Sequence, residues 1–580
     1  MTRAPGLTAG LRRRLTAVAR SAAPADLYLR GATLLNVYTG EIYPANVAVA
    51  GERIAYVGGR DEMVGPRTRV LDVSGRVLVP GYIDPHGHPA HLVTPSVLAR
   101  YVLPLGTTTV FADTLQLWEL GGDTAFRLTA DALARSPLKF FWMIRPQPQT
   151  RTRDEAQRYS LRAIDRALAH PWTVAIGEVT RWPDVHGGAA PLLDRLALAE
   201  RRGLRVEGHT AGAAAEKIAA IAAGGLTSDH EPITAQEVLD RARHGIAVML
   251  RQSSLRPDLS GLLDALKQAP ALVSRLMLTA DGSMPAFIRT HGFIDHCLRV
   301  ALDRGVAPID AYRMATLNAA TYFGRDGDLG AIAPGRYADI CVLPDLAEPR
   351  PDIVVARGAV AAERGRLAIT VPEAPWTKIF ASPRARLAVR WRAAPGDFAV
   401  PSRATYPVIR LVSNVITRLE DRPRAATDLH AALVDREGRW VAPALLAGFG
   451  DRVDGLASTI TTDFNILALG RDPVSIARAV NRLLDLRGGI VLAERGDVAF
   501  ELPLPLGGLM SREPLDRVAD LEEALRAQLT ARGYAFHDPL FTLFFLAADF
   551  LPFVRLSPRG VWDVRRGRVL LPARRRRPAG

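Results

Sequence analysis

Between Gly81 and Gly324 short apolar runs alternate with stretches whose apolar positions recur at helical spacing. The runs are the one leading into His86, then Thr108 to Phe111, Phe140 to Ile144, Thr173 to Ile176, Leu204 to Val206, Gly225 to Thr227, Ile246 to Leu250 and Leu276 to Thr279. Each is too short for a helix and apolar almost throughout, the pattern of strands buried on both faces. Helical periodicity fills the gaps, as in Ala211 to Ala223 and Thr234 to His244. Eight such strand-then-helix units predict an α/β fold built on a (β/α)8 barrel over residues 80–329.

The flanks read differently. Residues 26–79 and 330–371 alternate as short strands with turn residues between them, and are expected to pair into a small β-sandwich built from both sides of the barrel. Residues 1–25 predict a short amphipathic helix around Leu11-Arg12-Arg13-Arg14-Leu15, and the proline-rich 372–401 reads as a linker. Residues 402–580 predict a C-terminal α/β domain, with a helix at Pro473 to Leu486 and strands at Ile466 to Leu469 and Gly489 to Ala493.

A chain of 580 residues exceeds one hydrophobic core, which agrees with this division. The apolar fraction is 48%, no apolar run is long enough to span a bilayer, and the N-terminus carries no signal-peptide pattern. Cys297 and Cys341 are the only cysteines, which excludes a disulfide framework or a Cys-based zinc site and fits a cytoplasmic location. Net charge is +14, yet only four of the 74 basic residues are lysines and the arginines are interleaved with acids. That describes a solvated surface, so neither nucleic acid nor membrane is expected as a partner. The dense run Arg574-Arg575-Arg576-Arg577 reads as a solvated tail.

The chemistry starts at Pro80-Gly81-Tyr82-Ile83-Asp84-Pro85-His86-Gly87-His88. On an extended strand residues i and i+2 share a face, so both imidazoles aim the same way. Catalytic side chains of such barrels come from the C-terminal ends of strands. Those ends carry His86, His88, Glu178, His209, His230 and Asp281, all suited to Zn, Mn or Fe. The set exceeds what one tetrahedral ion needs, so two divalent ions are expected, with Glu178 as the bridge. Such a pair lowers the pKa of a shared water and turns it on an electrophilic C=N or C=O carbon. Asp281 is placed to take the proton of that water. Glu231, beside His230, is expected as the acid/base that serves the leaving group, although an acid also suits the helix N-terminus there.

These residues resemble the amidohydrolase superfamily, and specifically its adenine deaminase branch. The similar segments are Pro80 to His88, Gly177-Glu178, Gly208-His209, Ala222 to Glu231, Asp281, Met314 to Gly324 with Leu329-Gly330 to Asp339, and Glu501 to Ser511 near the C-terminus. The resemblance implies a distorted barrel, a flanking β-sandwich, a family-specific C-terminal domain and two metal ions, often manganese or iron. It implies that Glu178 replaces the carboxylated lysine of other relatives and that Glu231 shuttles protons. The substrate loops depart from the family pattern: Asp113-Thr114-Leu115-Gln116 stands for Asp-Pro-His-Glu, Arg145-Pro146-Gln147-Pro148 for a Pro-Ser-Ser/Cys-Val-Pro pattern, Asp281-Gly282-Ser283-Met284 for Asp-Asp-Arg-His, and Thr462-Asp463-Phe464-Asn465 for Asp-Ser-His-Asn. Asp113, Arg145 and Ser283 are the expected substrate contacts, Arg145 as a bidentate clamp for a carboxylate. The expected function is hydrolytic deamination of adenine or a related amino-substituted N-heterocycle by a homo-oligomer, a dimer. Hydrolysis of a cyclic amide or lactone is the alternative.

Overall fold

A computed structural model describes residues 6–382, 385–387 and 391–576. The first five residues of the N-terminal segment, five positions of the proline-rich stretch and Arg577 of the basic run lie outside them. Eight strands form one sheet in chain order: β1 (Tyr82–Gly87), β2 (Thr107–Asp113), β3 (Lys139–Ile144), β4 (Thr173–Val179), β5 (Arg205–Gly208), β6 (Ser228–Asp229), β7 (Ala247–Arg251) and β8 (Leu276–Thr279). All neighbouring pairs are parallel. The ends of the sheet meet at β8 and β1. Thr279 Oγ1 lies 2.7 Å from Asp84 Oδ1 and 2.8 Å from the His86 carbonyl oxygen, and Gly87 and Asp281 form a parallel bridge. This is the predicted barrel. One run differs from its strand: Gly225 to Thr227 is the approach, and β6 is the two residues after it. Gly225, at φ +104°, turns the chain out of helix Ala215–Ala223 before pairing can begin.

The two β-rich flanks merge in a single nine-stranded sheet. Its strand Val77–Pro80 pairs in parallel with Leu27–Leu35 on one side and antiparallel with Ile340–Leu343 on the other. The segment that delivers β1 is therefore held from both flanks of the barrel. Leu29, Val47, Leu78, Ile340 and Val355 form this sheet's own core. Buried Lys139 at the start of β3 ties barrel to sheet through Asp339, Nζ to Oδ1 2.8 Å. The N-terminal helix Ala9–Ala19 is capped by Thr8 and buries Leu15 and Val18.

The C-terminal region holds a second nine-stranded sheet, a helix Pro473–Asp485 capped by Asp472, a helix Leu515–Ala531 and a small three-stranded sheet. It reaches the barrel mouth directly, because Met510–Ser511 pairs in parallel with Leu92–Val93 just beyond His88. The basic run is not a free tail. Arg574–Arg575 pairs with Trp440–Val441, and the buried Arg576 side chain meets Asp397 at 2.8 Å over the Trp391 ring. Within the proline-rich stretch, Trp376 is fully buried. Among the described residues no helix is long and apolar enough to cross a membrane.

Candidate metal centre

The six sequence-predicted ligands converge at the C-terminal mouth of the barrel. His86 stands in β1 with His88 just beyond it, and Glu178 stands in β4. His209 and His230 follow β5 and β6, and Asp281 lies two residues past β8. His86 Nε2 and His88 Nε2 are 3.1 Å apart, and Asp281 Oδ1 lies 3.5 and 3.4 Å from them. His209 Nδ1 and His230 Nε2 are also 3.1 Å apart. Glu178 stands between the two groups: Oε2 lies 3.7 Å from His88 Nε2, while Oε1 lies 2.5 Å from His209 Nδ1 and 3.6 Å from His230 Nε2. The donor atoms of His86, His88 and Glu178 fall within 4.8 Å of one another, as do those of Glu178, His209 and His230, and those of His86, His230 and Asp281.

This donor set fits a pair of divalent cations. Facing nitrogen lone pairs at 3.1 Å are poorly served by protons alone, and each group supplies imidazole plus carboxylate. The electrostatics agree. Burial opposes charge on His86, but Glu207 and Asp281 hold its pKa well above the usual range. Burial and His86 likewise oppose charge on His230, yet Glu207 and Glu178 carry it to about 10. Burial would raise Glu178, but Arg145 and His209 keep it well below the usual carboxylate range. Such a cage demands positive charge, and metal binding exchanges its protons for cations.

Glu207, absent from the predicted set, orients two of the ligands. Its Oε1 lies 2.7 Å from His230 Nδ1 and its Oε2 lies 3.5 Å from His86 Nδ1, which turns both Nε2 atoms to the centre. Its signal was in the sequence: Glu207 and His209 are two apart at one strand end and share a face. Arg251, at the end of β7, was also missed. It is buried, donates from Nη1 to Glu231 and lies 3.3 Å from Asp281. Burial would raise the Glu231 carboxyl, but Arg251 holds it down at about 2. His91 stacks on His88, and its two buried ring nitrogens have no hydrogen-bond partner among the described residues.

The predicted substrate contacts lie elsewhere than expected. Arg145 is fully buried, its Nε 2.6 Å from Asp113 Oδ2 and its Nη2 2.5 Å from Glu178 Oε2. Asp113 also accepts from the Leu115 and Glu178 amides. With every direction taken by the protein itself, this pair braces the Glu178 carboxylate from behind and does not line the cavity. Ser283 donates to the Ala280 carbonyl at 2.7 Å and faces a narrow cleft beside His88.

The cavity above the centre has a volume of about 630 Å³. Its floor is His88, Glu178, His209, His230, Glu231 and Asp281, and its roof is an aromatic wall of Phe541, Phe544, Phe545 and Phe550 from the C-terminal domain. Phe550 stands edge-on to His209 at 5.4 Å.

Two family models match the chain: the amidohydrolase family over residues 77–364 and the adenine deaminase C-terminal domain over residues 415–568. The adenine deaminase of a Methylobacterium species is 35% identical over 561 residues, 94% of this chain and 97% of that one. That of Rubrobacter xylanophilus is 34% identical over 585 residues, 95% of each. A Halalkalibacterium halodurans relative, for which the adenine deaminase name is provisional, is 34% identical over 576 residues, 97% of each. Among solved structures, an adenosine deaminase from Xanthomonas campestris with bound zinc aligns over 60% of this chain and 95% of that one, at 15% identity and a TM-score of 0.46. The chain belongs to the adenine deaminase family of the amidohydrolase superfamily and is a hydrolase of carbon–nitrogen bonds other than peptide bonds.

Proposed function

We propose that this protein is a metal-dependent hydrolytic deaminase of an amino-substituted N-heterocycle, adenine or a relative of it, that releases ammonia. The observation that carries the reading is the convergence of six ligands in two groups joined by Glu178, with Glu231 and Asp281 on the same cavity floor. His86, His88, Glu178 and Asp281 would hold one divalent ion, and Glu178, His209 and His230 the other. When bound, manganese, iron or zinc supplies Lewis acidity and an activated water at neutral pH.

The chain's own groups do the rest. Asp281 Oδ2 faces the Arg251 guanidinium and Oδ1 faces the histidines, so the carboxylate stays ionised and available to accept a proton from the attacking water. Glu231 Oε1 lies 3.5 Å from His209 and 3.7 Å from His230, within reach of the same reacting atoms; ionised at rest, it takes a proton that the water releases and passes it to the leaving amine. The aromatic roof sandwiches a planar ring and excludes water. The cyclic amide or lactone alternative rests on the altered substrate loops; its carboxylate clamp, Arg145, is buried beneath Glu178 instead.

Ammonia release by the manganese-loaded protein from adenine, aminopterins and aminotriazines tests the reading. Turnover of at least one, lost in Glu231→Gln with metal retained, is expected. Silence across the panel with metal bound would reject it.

A further inference from the structure

The cavity carries more positive charge than deamination of a neutral base uses. Its walls present six basic side chains, Arg151, Arg181, Lys217, Arg251, Arg256 and Arg565, against four carboxylates, Glu178, Glu231, Asp281 and Asp549. Three of the cations are answered by protein: Arg151 lies 2.9 Å from Asp184, Arg181 lies 3.0 Å from Glu155, and Arg251 pairs with Glu231. Arg256 is answered twice, its Nε 2.8 Å from Asp258 and its Nη1 3.9 Å from Glu231 on the cavity floor. Lys217 and Arg565 make no ion pair among the described residues. Each stands over an aromatic ring instead, Lys217 Nζ 5.4 Å from the Trp182 centroid and the Arg565 guanidinium 4.1 Å from that of Phe553.

These two cations come from different domains. Lys217 lies on helix Ala215–Ala223 after β5, and Arg565 on the turn between Gly560–Asp563 and Arg568–Pro572 of the C-terminal domain. Both line the one cavity, Lys217 half-buried and Arg565 exposed, whereas His86, Glu178 and His230 at its base are buried. Charge therefore gathers at the mouth, away from the reacting floor. A ring under each cation favours charge in place, and a cleft walled by one sign of charge concentrates the opposite sign. A volume of about 630 Å³ is that of a site for a drug-sized ligand, with room beyond a bare two-ring base.

We propose that the substrate bears an anionic group, a carboxylate or a phosphate, on the side of the ring away from the reacting carbon, and that Lys217 and Arg565 hold it at the cavity mouth. The heterocyclic ring in this statement rests on the deaminase reading; the anion does not. Lys217 belongs to the barrel and Arg565 to the C-terminal domain, so an anion bound by both also joins the two domains over the occupied site.

The test is calorimetric titration of the manganese-loaded protein with 9-methylpurine, 9-(carboxymethyl)purine and 9-(phosphonomethyl)purine. None has a 6-amino group, so binding is read without turnover and independently of the ammonia assay. The expected result is that one acidic ligand binds about tenfold or more tightly than the methyl parent, the preferred acid naming the source of the anion. In the Lys217→Met/Arg565→Met double variant that ratio should fall to about threefold or less, and in Lys217→Arg it should persist. Equal affinity for charged and uncharged ligands, no binding of either acid, or a ratio that survives the double variant would overturn the proposal. An anion preference with a silent ammonia assay would uphold the anion site and reject the deaminase reading alone.

Discussion

The carboxylate of Glu207 lies 2.7 Å from Nδ1 of His230, behind the ring and on the side away from Nε2, which faces His209. Both groups are buried, so the contact is not screened, and it fixes which ring nitrogen carries the proton. Glu207→Gln keeps the shape and removes the charge. Affinity for manganese should fall about 10- to 100-fold with the fold intact, measured by metal titration and circular dichroism. His88→Ala removes one of the proposed ligands and should abolish stoichiometric metal and turnover together.

Arg251 sets the working range of Glu231. A carboxyl held at about 2 is ionised throughout the physiological range, so Glu231 should impose no acid limb on kcat/KM above about pH 4. Arg251→Met takes away the cation while burial, which raises the carboxyl, remains. The acid limb should move to higher pH by more than one unit, read from the pH profile of ammonia release. An unmoved limb would separate Arg251 from Glu231.

How much of this was legible in sequence depended on whether a residue's role is set locally. The barrel and the side chains that converge at its mouth were legible because strand period and strand-end chemistry are local patterns, as in His86 and His88. Arg145 was misread because an arginine at a strand end looks the same whether it meets substrate or braces Glu178, and that contact spans 33 residues. Arg576 was misread as tail because its partner, Asp397, is 179 positions away. Arg251 escaped notice because the ligand series skips β7, although that strand end is as close to the centre as the others.

Glu522 links stability to pH where two domains meet. On helix Leu515–Ala531 it accepts from the Ala286 amide at 2.9 Å, and burial, then the nearby Asp538 charge, push its carboxyl from 4.5 up to about 8. The folded state therefore holds this proton more tightly than the unfolded chain. Stability from it is fully present below pH 4.5 and is lost as pH rises through about 8. Thermal melts should show the wild type losing Tm between about pH 4.5 and 8 relative to Glu522→Gln and levelling off above that, a difference on the order of a few kcal/mol at the alkaline end. Parallel pH profiles for the two proteins would contradict this.

The account stands on two cations sharing Glu178. Anomalous diffraction at the manganese edge, from crystals of protein produced with manganese, tests it most directly. Two peaks are predicted, one among His86, His88 and Asp281 and the other between His209 and His230, with Glu178 touching both. A single peak, or none at the barrel mouth in manganese-grown protein, would contradict it.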